Sequence, residues 1–186
     1  MLRTMPVRLS PRRRRQFAGL LAGLLVLLLA GCQGDEWRDY NAPDGSFSVR
    51  FPGEPVSSSA SQTTEFGPVA TQTLRVGTGA REIYQLAYSD YPLEYVVRTT
   101  PDALVRLASL EAVRATGGEV VTEQSLRLGT HPGHELRMTT PAGGVLTMRL
   151  YFVRTRLYQL TVSTPGTQDV QRLESFFNSF TLTSQE

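Results

Sequence analysis

The stretch RLYFVRTRLYQLTV, residues 149–162, decides the fold. Leu150 and Phe152 continue a parity begun by Leu146 and Met148, and the run from Leu157 to Val162 returns beyond Arg154-Thr155. Successive side chains of an extended chain leave on opposite faces, so alternation of this kind marks a strand with one face toward a core. Two such runs so close in sequence predict an antiparallel hairpin. A tight two-residue hairpin needs φ > 0 at its centre, which Arg and Thr resist, so a wider loop is expected at Arg154-Thr155.

The same rhythm extends outward. Phe47, Val49 and Phe51 share a face opposite Ser48 and Arg50, ending at Pro52-Gly53. After Gly67-Pro68, Ala70, Gln72, Leu74 and Val76 alternate with Thr71, Thr73 and Arg75, and Ile83 to Tyr88 and Val120 to Leu128 predict further strands. Two segments break the pattern. Thr100-Pro101-Asp102 supplies an N-cap hydroxyl, a first-turn proline and an acid against the helix dipole, predicting a helix to about Thr116 that stops at Gly117-Gly118. Its broad apolar set (Ala103, Leu104, Leu107, Ala108, Leu110, Ala112) suits packing on a sheet. A second helix, over Gln168 to Asn178, aligns Val170, Leu173, Phe177 and Phe180 opposite Gln171, Arg172 and Ser175. The expectation is an α+β domain over residues 37–186, a largely antiparallel sheet of about seven strands with two main helices packed on it.

GSFSVRFPGEP, AYSDYP, HPGHEL, RLYFVRTRLYQLTV and FFNSFTL occur in that order between residues 45 and 182. The ordered set resembles a widespread family of uncharacterised bacterial secreted proteins and lipoproteins, whose fold is similar to the PsbP-like α/β/α sandwich. Named members of that fold include an extrinsic photosystem subunit and a Ran-binding protein. The resemblance implies a non-enzymatic, partner-binding domain and carries no catalytic residue with it. Arg154-Thr155 departs from the family, which tends to have a Gly-Asn type turn there.

Residues 1–31 have the form of an export signal. Arg3, Arg8 and Arg12 to Arg15 make a positive start without an acid, and Phe17 to Ala30 is an uncharged, Leu-rich run of 14 residues. A permanent span needs about 20 apolar residues. Leu29-Ala30-Gly31-Cys32 resembles a lipobox, which implies diacylglyceryl transfer to the Cys32 thiol, cleavage after Gly31 and acylation of the new amino group. Several acyl chains make such an anchor stable where one is marginal. Residues 32–36 form the lipidated Cys and a short tether, holding the domain near the bilayer. Arg14-Arg15-Gln16-Phe17 partly resembles a twin-arginine signal, but the Leu-rich run favours the ordinary secretory route. Gln33 in place of Asp after the Cys favours the outer membrane, periplasmic face, in a Gram-negative envelope.

Six of the 19 arginines precede Cys32 and there is no lysine, so 13 arginines face 17 acids in the mature chain, a balance of −4. That sign excludes an electrostatic footprint for nucleic acid. With Cys32 acylated, no thiol is left for a disulfide or a nucleophile.

His131-Pro132-Gly133-His134-Glu135 is the candidate for metal chemistry, because Pro-Gly at the centre of a type II turn would bring both imidazoles toward one zinc or copper ion. Zinc sites take three or four convergent protein ligands, and no others stand nearby, so a structural hairpin turn is favoured. No nucleophile elbow or phosphate loop is present, and Asp35, Glu36, Asp39 and Asp44 lack calcium-loop order. Tyr84, Tyr88, Tyr91 and Tyr95, with Tyr151 and Tyr158 later, suggest either core packing or a ligand or partner surface, since Tyr offers contact area with a polar tip. The expected role is therefore a lipid-anchored envelope protein with a non-enzymatic binding or accessory domain and a protein partner, using no cofactor. A small-molecule or lipid carrier with a Tyr-lined groove is the alternative, and a metal-dependent enzyme at His131, His134 and Glu135 the remote one.

Overall fold

Residues 36–64 and 67–183 are described by a computed structural model of the protein. The expected export signal with Leu29, Ala30 and Gly31, the expected lipidation residue Cys32 and the tether up to Asp35 lie outside the described residues.

The hairpin of residues 149–162 is the centre of the molecule. Strands β8 (Val145–Val153) and β9 (Arg156–Thr164) pair antiparallel along their whole length. To one side lie β5 (Ile83–Asp90), β4 (Gly67–Gly77) and β3 (Val56–Thr64); to the other lie β7 (His131–Thr139) and β6 (Glu119–Leu128). The resulting antiparallel sheet has seven strands in the order β3-β4-β5-β9-β8-β7-β6. A second sheet joins β1 (Arg38–Asn41), β2 (Phe47–Phe51) and β10 (Thr181–Leu182) in the order β1-β2-β10. Three helices complete the domain: α1 (Leu93–Val96), α2 (Pro101–Thr116) and α3 (Val170–Asn178).

Side-chain parity divides the core in two. Leu146, Met148, Leu150 and Phe152 of β8 join Leu136 and Met138 of β7 under Leu104 and Val105 of α2. The opposite parity sends Tyr151, Tyr158, Leu160, Val162, Tyr84 and Leu86 toward the small sheet and α3. There Phe176 meets Phe51 at 5.3 Å and Tyr84 at 5.4 Å, while Phe180 meets Tyr158 at 5.2 Å. The layers are thus helix, seven-stranded sheet, and helix with a small sheet.

The caps follow the sequence. Thr100 Oγ1 accepts from the Ala103 amide at 3.3 Å, and α2 ends at Gly117 with φ 60°. Asp169 accepts from the amides of Gln171 and Arg172, so α3 begins at Val170 instead of Gln168, whose amide group bridges Thr147 and the Val162 carbonyl.

Two turn expectations are corrected. Val153 pairs directly with Arg156, so Arg154-Thr155 is a tight two-residue connection after all, with Arg154 at φ 56°. Burial on both faces of β8 and β9 pins their register, and the left-handed residue at about 1–2 kcal/mol is the smaller cost. Second, His131 to Glu135 is not a turn. The β6–β7 connection is Gly129-Thr130, with Gly129 at φ 60°, and Leu128 pairs with His131. Pro132 is tolerated because it pairs only with Arg127 of β6, before the ladder with β8 begins at Gly133. Gly133 is needed for a different reason: a Cβ there would lie 2.5 Å from the Tyr151 ring and 2.9 Å from the Leu150 carbonyl.

Candidate functional site

The metal candidates are separated by strand parity. His131 borders a polar cavity beside Arg156, whereas His134 borders a groove under α2 on the other face of the sheet. Residues three apart on a strand leave from opposite faces, so the two rings diverge. Glu135 is engaged elsewhere. Its carboxylate accepts from Arg149 Nε at 2.5 Å and from Gln124 at 2.8 Å. Arg149, 13% exposed, also reaches Glu174 at 3.2 Å and Asn178 at 3.0 Å and lies 4.6 Å over Phe177. That network fastens α3 to β7 and β8. Among the described residues no three potential metal ligands converge.

The tyrosines do not form one surface either. Tyr84 and Tyr88 face the α3 side of the sheet. Tyr84 is 1% exposed, packs edge-on to Trp37 at 5.9 Å, and its hydroxyl is pushed up to about 12 by burial. Tyr88 lies against Phe47 at 5.4 Å, under the Arg156 guanidinium at 4.9 Å. Tyr151 and Tyr158 are core residues on that same face. Tyr91 and Tyr95 stack on each other at 5.2 Å on the opposite face and join the core beneath α2. Burial raises the Tyr91 hydroxyl as well.

Arg156 organises the polar cavity, of about 530 Å³. Its guanidinium donates to Asp90 at 2.6 and 2.7 Å, to Asp44 at 2.8 Å and to the Ser46 hydroxyl at 2.9 Å. Hydrogen bonds to Asp90, first of all, hold the guanidinium above its ordinary range. Partial burial acts to raise the Asp44 carboxyl, but hydrogen bonds from Ser46 and Arg156 outweigh it and hold the group at about 2. Both carboxylates share the one guanidinium, and the cluster clamps the β1–β2 connection to β5 and β9.

The arrangement best suited to a ligand flanks α2. This helix crosses above β7 and β8, and β6 extends past it as an edge strand. A groove of about 360 Å³ remains between them, walled by Val105, Val113, Val120 and Leu136 and rimmed by Asp102, Arg106 and Glu123. Ser109, Ser125 and His134, the last two cross-strand partners, supply the polar part of the lining inside that rim. Ser109 is 5% exposed; its hydroxyl donates to the Val105 carbonyl at 2.9 Å and contacts His134 Nδ1 at 2.9 Å. A second groove, about 390 Å³, lies on the other flank and includes Tyr91 and Tyr95.

Arg149, Arg156 and Ser109 were not singled out by sequence. The arginines carry no local signal, because their partners lie up to 112 residues away. Ser109 does carry one. It falls in the stripe Val105-Ser109-Val113, four residues apart along α2, where a sheet-facing helix otherwise places apolar groups.

No protein-family model and no curated protein matches the chain. Among solved structures, it is similar to the solution structure of cyanobacterial PsbP (CyanoP) from Synechocystis, with a TM-score of 0.53 at 12% identity over 82% of this chain and 96% of that one. A crystal structure from Bacteroides thetaiotaomicron aligns with a TM-score of 0.44 at 11% identity, over 83% of this chain and 50% of that one. The protein has a PsbP-like α+β fold, in agreement with the layers and sheet order above. The similarity is one of fold.

Proposed function

We propose that this protein is a lipid-anchored binding domain of the bacterial envelope, working without catalysis, and that it meets a protein partner through the layer of α1 and α2 and the sheet edge at β6 beside it. One observation carries the choice of surface. Of the eight large apolar side chains exposed among the described residues, six belong to this layer or its immediate edge: Leu93, Val97, Leu107, Leu110, Val120 and Val121. Scattered exposed hydrophobics are ordinary, whereas their concentration on one layer marks an interaction surface. The export signal and the lipobox-like Leu29 to Cys32 support the anchor. The Ser109 hydroxyl donates to the Val105 carbonyl of its own helix, which supports a structural pair with His134 over a nucleophile and its base.

A carrier of small molecules is the second reading, favoured by the two grooves that flank α2. The tests are direct. Intact-mass analysis of the native protein should show acyl chains on a chain beginning at Cys32, and Cys32→Ser should release the protein from membranes. A photo-crosslinker at Leu110 should trap one discrete envelope protein while the same group at Ser58 traps none. An unmodified thiol would remove the anchor, and equal trapping at both positions would remove the surface.

A further inference from the structure

We infer that the groove between α2 and β6 receives a small, uncharged, largely apolar molecule bearing an O–H or N–H donor, which His134 Nε2 accepts. The inference rests on the reading of this layer as the binding surface and adds the chemistry of an occupant.

The argument follows one proton. The Ser109 hydroxyl has a single hydrogen, and its contact with the Val105 carbonyl, 2.9 Å, requires that hydrogen because a carbonyl only accepts. The contact between Ser109 Oγ and His134 Nδ1, also 2.9 Å, therefore takes its proton from the ring. At 5% exposure Ser109 has little contact with solvent, and the carbonyl and the ring are its two side-chain partners. A neutral imidazole protonated at Nδ1 presents a bare lone pair at Nε2. No described residue donates to that atom, and His134 lines the groove.

The surroundings narrow the class. Val105, Val113, Val120 and Leu136 supply apolar walls, and about 360 Å³ is at the small end of ligand pockets, suited to a ring-sized body. The rim holds Asp102 and Glu123 against the single cation Arg106, which disfavours anions. An ionised fatty acid has no donor to offer and would meet two carboxylates. Phenols, alcohols and amides fit on both counts.

The test uses the full chain in phosphatidylcholine nanodiscs, with para-phenylphenol and its methyl ether as probes. It is run at about pH 8, above the ordinary imidazole range. Imidazole nitrogen resonances report the tautomer, and the methyl groups of Val105, Val113 and Leu136 report occupancy. The free protein should show His134 protonated at Nδ1. The phenol should shift the Nε2 resonance and bind roughly threefold to tenfold more tightly than the ether. His134→Phe should abolish that preference, and Ser109→Ala, which releases the tautomer without filling the groove, should reduce it. Protonation at Nε2 in the free protein, or equal affinity of both probes at the groove methyls, overturns the donor-reading inference and leaves the binding surface standing. Absence of any methyl shift with either probe overturns the inference and counts against the carrier reading, while crosslinking at Leu110 still judges the protein-binding surface separately.

Discussion

Gly133→Ala should destabilise this protein although Gly133 sits in a strand, where alanine is ordinarily the easier residue. The added Cβ would lie 2.5 and 2.6 Å from two carbons of the Tyr151 ring and 2.9 Å from the Leu150 carbonyl, distances that real contacts do not reach. The ring has little room to yield. Tyr151 is 5% exposed and stacks on Phe180 at 6.1 Å with the planes 14° apart. Overpacking of this kind costs about 1–3 kcal/mol, and the blocked ring argues for about 2 kcal/mol. For a domain of this size that lowers the melting temperature by about 4–8 °C. The assay is thermal and urea unfolding of the wild type, Gly133→Ala, Tyr151→Val and the double variant. Removing the ring carbons removes most of the collision, leaving only the carbonyl contact. The two changes should therefore couple by at least about 1 kcal/mol, with the double variant less damaged than the sum. Additivity within about 0.5 kcal/mol would refute the packing argument. So would a neutral Gly133→Ala.

Arg149→Met should cost about 2–3 kcal/mol in urea unfolding, because it strands Glu135, whose side chain is 18% exposed, and frees α3 from β7 and β8; the same change at Arg114, whose ion pair is exposed, should cost under about 0.5 kcal/mol. Asp44→Asn should lower the melting temperature above about pH 4, with the gap to wild type closing as pH falls toward 2. The sign follows from a folded-state carboxyl at about 2 against an ordinary 3.8: its stabilisation is complete above the ordinary value and vanishes as the folded group protonates. The gap should be small because the carboxylate is nearly half exposed. A gap that widens in acid would contradict the clamp. Arg154→Gly should stabilise by about 0.5–1 kcal/mol, raising the urea midpoint at unchanged slope, by relieving a left-handed φ of 56°.

Strand and helix identities were legible wherever burial wrote a period into the chain. The alternation at residues 146–162 and the capped stripe of α2 each stated a structure on their own, and the structure carries both. The nine residues of β3, VSSSASQTT, carry no such pattern, because both faces of that edge strand meet solvent and nothing selects one from the other. The four-residue α1 and the short β1 and β10 lacked the length for a period to register.

Sites behaved differently. His131, His134 and Glu135 are adjacent in sequence and looked like a unit, yet extended backbone sends them to two faces and gives Glu135 to an arginine on the next strand. Tyr84, Tyr88, Tyr91 and Tyr95 were parted by where the chain leaves β5 and crosses to the other layer. Sequence by itself determined the period of the elements with one buried face and the class of fold, since these depend on residues within a turn or two of each other. Only the tertiary structure decided the glycine under Tyr151, the arginine clamps and the Ser109–His134 pair. Each joins segments far apart in the chain, and a contact of that kind depends on sheet order, which local periodicity does not encode.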